Sequence, residues 1–181
     1  HVERDPGDAG DPAVSRVMRG TPAGDAYLDL RNAARRTRRR TDELLQLYVL
    51  EGFLARLAVS DARRDFILKG GVLLAAFGSR RPTKDIDLAG IDMSNDTETV
   101  MRRMAEVVDT RPSTDDGIDF LADTMTSEVI REGDSYSGVR VHLVARLATA
   151  VVGFHIDINV GDPIWPKPTT VALPRLRGGE P

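Results

Sequence analysis

Two short segments do most to limit how this chain can fold. Asp85-Ile86-Asp87-Leu88 and Phe154-His155-Ile156-Asp157-Ile158-Asn159-Val160 both alternate polar and apolar residues with a period of two. That pattern predicts half-buried strands, because successive strand side chains point to opposite faces. Ile86, Leu88, Ile156, Ile158 and Val160 turn into a core. The opposite face then carries Asp85 and Asp87 from one strand and His155, Asp157 and Asn159 from the other. Two carboxylates as close as Asp85 and Asp87 are costly unless a cation lies between them. Hard oxygen ligands suit Mg²⁺, which usually takes one or two carboxylates plus substrate phosphates. Two-metal phosphoryl transfer asks for a third carboxylate on a neighbouring strand, and Asp157 is the candidate. Aspartate is depleted in strands, which favours that role over an ordinary solvent-facing one. His155 and Asn159 share its face without being assigned to the metal or to catalysis.

Upstream, Phe66-Ile67-Leu68 reads as a short strand and Val72-Leu73-Leu74-Ala75-Ala76-Phe77 as a short buried helix. Lys69-Gly70-Gly71 joins them, a turn whose backbone a phosphate can approach. Lys69, Arg80, Arg81 and Lys84 surround the two aspartates in sequence, and a triphosphate needs cations at its mouth. Thr83 either contributes its hydroxyl or caps a turn after Pro82. The plain alternatives are a simple glycine turn, aspartates that cap backbone groups, and solvated loop cations. A lone Asp-x-Asp would say little, but its pairing with the glycine turn points to phosphoryl or nucleotidyl transfer.

The joined pattern LKGG, RPTKDIDL and HIDINVGD resembles the AbiEii/AbiGii-type toxins, including the mycobacterial MenT group. These lie within the DNA polymerase β-like nucleotidyltransferase superfamily. The likeness runs from roughly Thr41 to Pro168. It implies an α/β (α+β) fold with a polymerase β-like core, a mixed sheet with helices packed on it. It also implies the toxin of a toxin–antitoxin system, an enzyme that moves NMP from a nucleoside triphosphate to an acceptor hydroxyl. By resemblance, Mg²⁺ would be held by Asp85, Asp87 and Asp157, which with Lys69 form the catalytic set. Gly70, Gly71, Arg80, Thr83 and Lys84 would bind the nucleotide. The implied partners are a cognate antitoxin and tRNA, whose 3′ end would be extended and translation blocked. Nothing in the residues themselves specifies tRNA.

The chain departs from the family after Asn159. Gly161 to Pro168 reads as an extended turn, and the family's helical segments of the types AxKxxA and RDxxD do not occur before Pro181. Either the chain is a shortened form or it uses a minimal core. Two other readings therefore stay open: a non-catalytic remnant that binds nucleotide or antitoxin, and transfer of NMP or phosphate to a protein hydroxyl.

The remaining organisation is simpler. Residues 1–24, rich in Gly, Pro, Asp and Ala, are expected to form a flexible arm, 25–168 the core, with a helical segment at its start, and 169–181 a tail. The start at His1 rather than Met suits a processed or trimmed terminus. Arg31, Arg35, Arg36, Arg38, Arg39 and Arg40 form a run that reads as a solvated helix face, an RNA-backbone patch or an antitoxin surface. Thr41 or Asp42 is expected to cap a helix over Glu43 to Val59, with a one-sided apolar stripe, and Asp96 to cap another. Strands are expected at 117–121, 128–132, 139–147 and 151–160, the last two joined by a turn at Ala148-Thr149. The net charge of −3 argues against generic nucleic-acid glue. No cysteines, no membrane-length apolar run and no signal-peptide pattern occur, so a reducing cytoplasm is expected.

Overall fold

A computed structural model describes residues 16–69, 85–132, 136–161, 163–165, 167–173 and 175–178. The helix expected at 72–77 lies outside them.

Helix α1, Pro22–Thr37, begins where local chemistry favours it. The Thr21 hydroxyl accepts the Gly24 N–H at 3.1 Å, and Pro22 takes the first helical position, where its missing N–H costs nothing. The helix ends at Arg38, whose φ of 55° is left-handed and whose N–H bonds back to Ala34. The arginine run is thereby divided. Arg35 and Arg36 occupy the last turn of α1, whereas Arg39 pairs with Glu43 and Arg40 forks onto Asp42.

Helix α2, Thr41–Val59, corrects the expected cap. Its N-cap is Arg40 and uses no side-chain bond, because Asp42 spends its oxygens on Arg40 and the Glu43 N–H. The expected one-sided stripe is also too narrow. Leu45, Gln46, Val49, Leu50 and Arg56 are buried along with Leu44, Leu47, Phe53 and Leu57. The helix is sandwiched between the sheet and α1, so most of its circumference loses solvent. A 3-10 turn, Asp61–Arg64, leads into the sheet.

Five strands follow: β1 Phe66–Leu68, β2 Asp85–Gly90, β3 Ile118–Glu132, β4 Tyr136–Leu147 and β5 Ala150–Val160. Their order in one sheet is β1-β2-β5-β4-β3. β2 and β5 run parallel, and the other neighbours are antiparallel. The expected turn at Ala148-Thr149 joins β4 to β5, with Ala148 at φ 52° and Leu147 opposite Ala150. The two strands expected at 117–121 and 128–132 are one strand with a register irregularity between Leu121 and Thr126. The Thr124 hydroxyl spans that break, donating to the Leu121 carbonyl at 2.6 Å and accepting the Val144 N–H at 3.1 Å. A side chain here replaces a ladder bond, which is why the lost alternation does not end the strand. Just before β3, Gly117 has φ 75°, and a Cβ there would come within 2.3 Å of the Ala23 backbone.

Helix α3, Thr97–Asp109, bears out the Asp96 cap: its carboxylate accepts the Thr99 N–H at 2.8 Å. Hydrogen bonds from the Ser94 hydroxyl and then the Thr99 N–H hold the Asp96 carboxyl at about 2, below its ordinary 3.8. A depressed folded-state value adds stability above pH 3.8 that disappears as pH falls through about 2. Asp96→Ala is therefore expected to lower the melting temperature at pH 7. Melting curves at successive pH values should show that difference shrink below pH 3.8 and reach its minimum once the pH has fallen through about 2.

One hydrophobic cluster joins the buried faces of α1, α2 and α3 to the inward residues of β2, β3, β4 and β5, including Ile86, Leu88, Val141, Ile156 and Ile158. Phe53 of α2, Phe120 of β3 and Phe154 of β5 meet edge-on at 5.9–6.2 Å, locking helix to sheet. Each such pair contributes about 0.5–1.5 kcal/mol beyond its burial. No helix among the described residues is long and apolar enough to cross a membrane.

Candidate active site

The helices cover one face of the sheet and leave its other face to polar residues. Because Ile86, Leu88, Ile156 and Ile158 are buried in the core, Asp85, Asp87, His155 and Asp157 must emerge opposite them. The parallel register sets Asp87 beside Asp157 and Asp85 beside His155. β4 extends both rows, with Arg140 next to Asp157 and His142 next to His155. β3 completes them with Glu128 beside Arg140 and Thr126 beside His142. One cross-strand row thus reads Asp87, Asp157, Arg140, Glu128, and the next reads Asp85, His155, His142, Thr126.

The expected carboxylates are therefore brought onto one surface, but they are not equivalent. Burial, followed by the charges of Asp85 and Asp157, raises the Asp87 carboxyl above its ordinary value; Lys69 and His155 act in the opposite direction. The Lys69 N–H also donates to the Asp87 carbonyl at 2.8 Å, so the residue before Gly70 is anchored to this strand. His155 Nε2 lies 3.8 Å from an Asp85 oxygen. The Asp157 side chain is largely covered, and both its oxygens accept from Arg140, from Nε and Nη2, each at 2.7 Å. That fork raises the Arg140 guanidinium above its ordinary value.

Among the described residues, no three carboxylate or imidazole groups converge as a ready-made metal cage. The donor chemistry nevertheless suits a hard divalent cation. A cation at Asp85 and Asp87 would offset the burial and the like charges that raise Asp87, while both oxygens of Asp157 accept from Arg140. Gly70, Gly71, Arg80, Thr83 and Lys84 lie outside the described residues.

Arg140, His142 and Glu128 were not singled out from the sequence. The signal was present for two of them: Val139, Val141, Leu143 and Ala145 are buried, so Arg140 and His142 alternate outward. Which strand they would stand beside was not legible. Gly138 belongs to the same surface, since a Cβ there would come within 2.3 Å of the Asn159 side-chain oxygen.

A separate cavity of about 620 Å³ lies between α2, residues 112–116, residues 171–173 and residues 175–178. None of the carboxylate face lines it. Its polar wall includes Glu51, which accepts the Leu176 N–H at 2.8 Å and whose carboxyl is raised by burial. These contacts tie the tail onto α2.

The sequence matches the family model described as nucleotidyl transferase AbiEii toxin, type IV TA system, over residues 52–179. Comparison with curated proteins finds no match. Among solved structures, JHP933 from Helicobacter pylori is similar at 16% identity and a TM-score of 0.41, covering 68% of this chain and 46% of that one. A second H. pylori structure, provisionally called a nucleotidyltransferase, is similar at 15% identity and a TM-score of 0.37, covering 65% and 44%. This chain spans less than half the length of either. The family match embraces both carboxylate strands and most of the chain, and on it this chain belongs to the AbiEii family of nucleotidyl transferase toxins.

Proposed function

We propose that residues 25–168 form a Mg²⁺-dependent nucleotidyltransferase core that transfers NMP from a nucleoside triphosphate to an RNA hydroxyl. The observation that carries this reading is the shared face of Asp85 and Asp87 with Asp157, set by the register between β2 and β5. Family membership supports the reaction class, a nucleotide substrate and an antitoxin partner. The 3′ end of tRNA as acceptor, and hence a cytoplasmic site of action, follow from the resemblance of LKGG, RPTKDIDL and HIDINVGD to the wider toxin group.

Asp85 and Asp87 would hold the metal, with Asp157 completing the set. The chemistry a bound Mg²⁺ supplies there is neutralisation of triphosphate charge and a lowered barrier to ionising the attacking hydroxyl. Lys69 adds a cation beside Asp87, and Gly70 and Gly71 let backbone approach the phosphates. Arg80, Thr83 and Lys84 would bind the same nucleotide. The acceptor hydroxyl attacks the α-phosphorus, forming one P–O bond as the α–β P–O bond breaks. Pyrophosphate leaves, and the hydroxyl proton passes to a carboxylate of the face.

Incubation with total tRNA, Mg²⁺ and each α-labelled nucleoside triphosphate tests this. Label is expected on tRNA with one preferred nucleotide, none from a γ-label, and none with Asp85→Ala. Label on protein instead, or equal labelling by Asp85→Ala, would overturn the proposal.

A further inference from the structure

Arg140 stands between two carboxylates, and this position has a consequence for how a metal would enter. On one side its guanidinium forks onto Asp157 with two bonds of 2.7 Å. On the other, its Nη1 lies 3.9 Å from a Glu128 oxygen, and Glu128 is more than half exposed. All three residues are cross-strand neighbours in one row of the sheet face. A bidentate arginine–carboxylate pair is among the stronger ion contacts, and it fixes the carboxylate plane. Asp157 is 13% exposed, so its charge is poorly served by water and depends on that fork.

We propose that Arg140 is a built-in counter-ion that withholds Asp157 from the metal site until a divalent cation displaces it. This rests on the metal-site reading above and assigns that site an order. Asp157 joins the metal last, only as the guanidinium swings toward Glu128. The fork thereby balances one of the three carboxylate charges that adjacent strands bring onto this face. Glu128, whose Oε1 also lies 3.2 Å from His142 Nε2, is the anion the guanidinium turns to. Arg140 is a positioning residue in this scheme, because it acts through Asp157 rather than on substrate.

Mn²⁺ binding to the purified chain without nucleotide, followed by the electron paramagnetic resonance of free Mn²⁺, tests the order. Arg140→Gln is expected to tighten Mn²⁺ binding about tenfold, the scale on which partners of ligating side chains act. Arg140→Lys, which keeps the charge but loses the fork, should tighten it less. Glu128→Gln should weaken it, since the guanidinium loses its alternative anion. In an Asp157→Asn background the gain from Arg140→Gln should largely disappear, which separates competition for Asp157 from the general field of one positive charge. Arg146→Gln, on the same strand, should change nothing.

Unchanged or weaker Mn²⁺ binding in both Arg140 variants would overturn the inference, as would an equal gain in the Asp157→Asn background. If Mn²⁺ binds and Asp85→Asn abolishes it while Arg140→Gln gives no gain, only the ordering fails. If neither the wild type nor Arg140→Gln takes up Mn²⁺, the metal-site reading itself fails and the ordering goes with it.

Discussion

Asp87→Asn is expected to lower nucleotidyl transfer by about 10³-fold or more, the scale of several kcal/mol of lost metal-centred stabilisation. The variant keeps the size of the side chain and removes only its charge. Asp87 is central in the carboxylate set, with Asp85 two residues away on the same strand face and Asp157 beside it on β5. Its backbone also anchors Lys69, so the strand position itself does not depend on the carboxylate. The metal-free variant should therefore melt no lower than wild type, because one of three like charges is gone. Added Mg²⁺ should then raise the melting temperature of the wild type but not of the variant. Wild-type-like transfer by Asp87→Asn would mean that the chemistry lies elsewhere. Loss of transfer together with a collapsed melting temperature would assign Asp87 to folding instead.

Arg56→Ala is expected to destabilise the fold by about 3–5 kcal/mol, the cost of stranding a buried charge. The Arg56 side chain is only 6% exposed and reaches Asp116 at 2.6 and 3.0 Å. It also donates to the Gly52 and Ile118 carbonyls and lies 4.7 Å over the Phe120 ring. One side chain thus ties α2 to the start of β3. Denaturant unfolding of Arg56→Ala, Asp116→Asn and the double variant gives the coupling. The double variant should lose clearly less than the sum of the two, since removing both partners leaves no orphaned charge. Additive losses would mean that Arg56 contributes packing alone. Because this pair lies under the helices rather than on the carboxylate face, Mn²⁺ binding by the folded fraction should not change.

Several features of this fold could be read from residues because they depend on neighbours in the chain. Alternation at Asp85–Leu88 and Phe154–Val160 is a property of the pleat, so the core and polar faces of both strands followed from the order of residues alone. The Asp96 cap and the Ala148-Thr149 turn are likewise local, and both are present. The start of α2 was local too but misread, because Arg40 competes for the carboxylate of Asp42 that a capping argument reserves for backbone.

What the chain's tertiary structure decided are the meetings between distant segments. No periodicity reveals that β2 lies parallel to β5, or that β4 sets Arg140 against Asp157. Nor does it show that Arg56, a charged residue on an apolar helix, is buried because Asp116 comes to meet it. Strand order and ion pairing are chosen by packing over long loops, where many sequence-compatible pairings differ by only a few kcal/mol until the whole core closes. The carboxylate face was therefore written in the sequence, while the cation that restrains it emerged only when the sheet assembled.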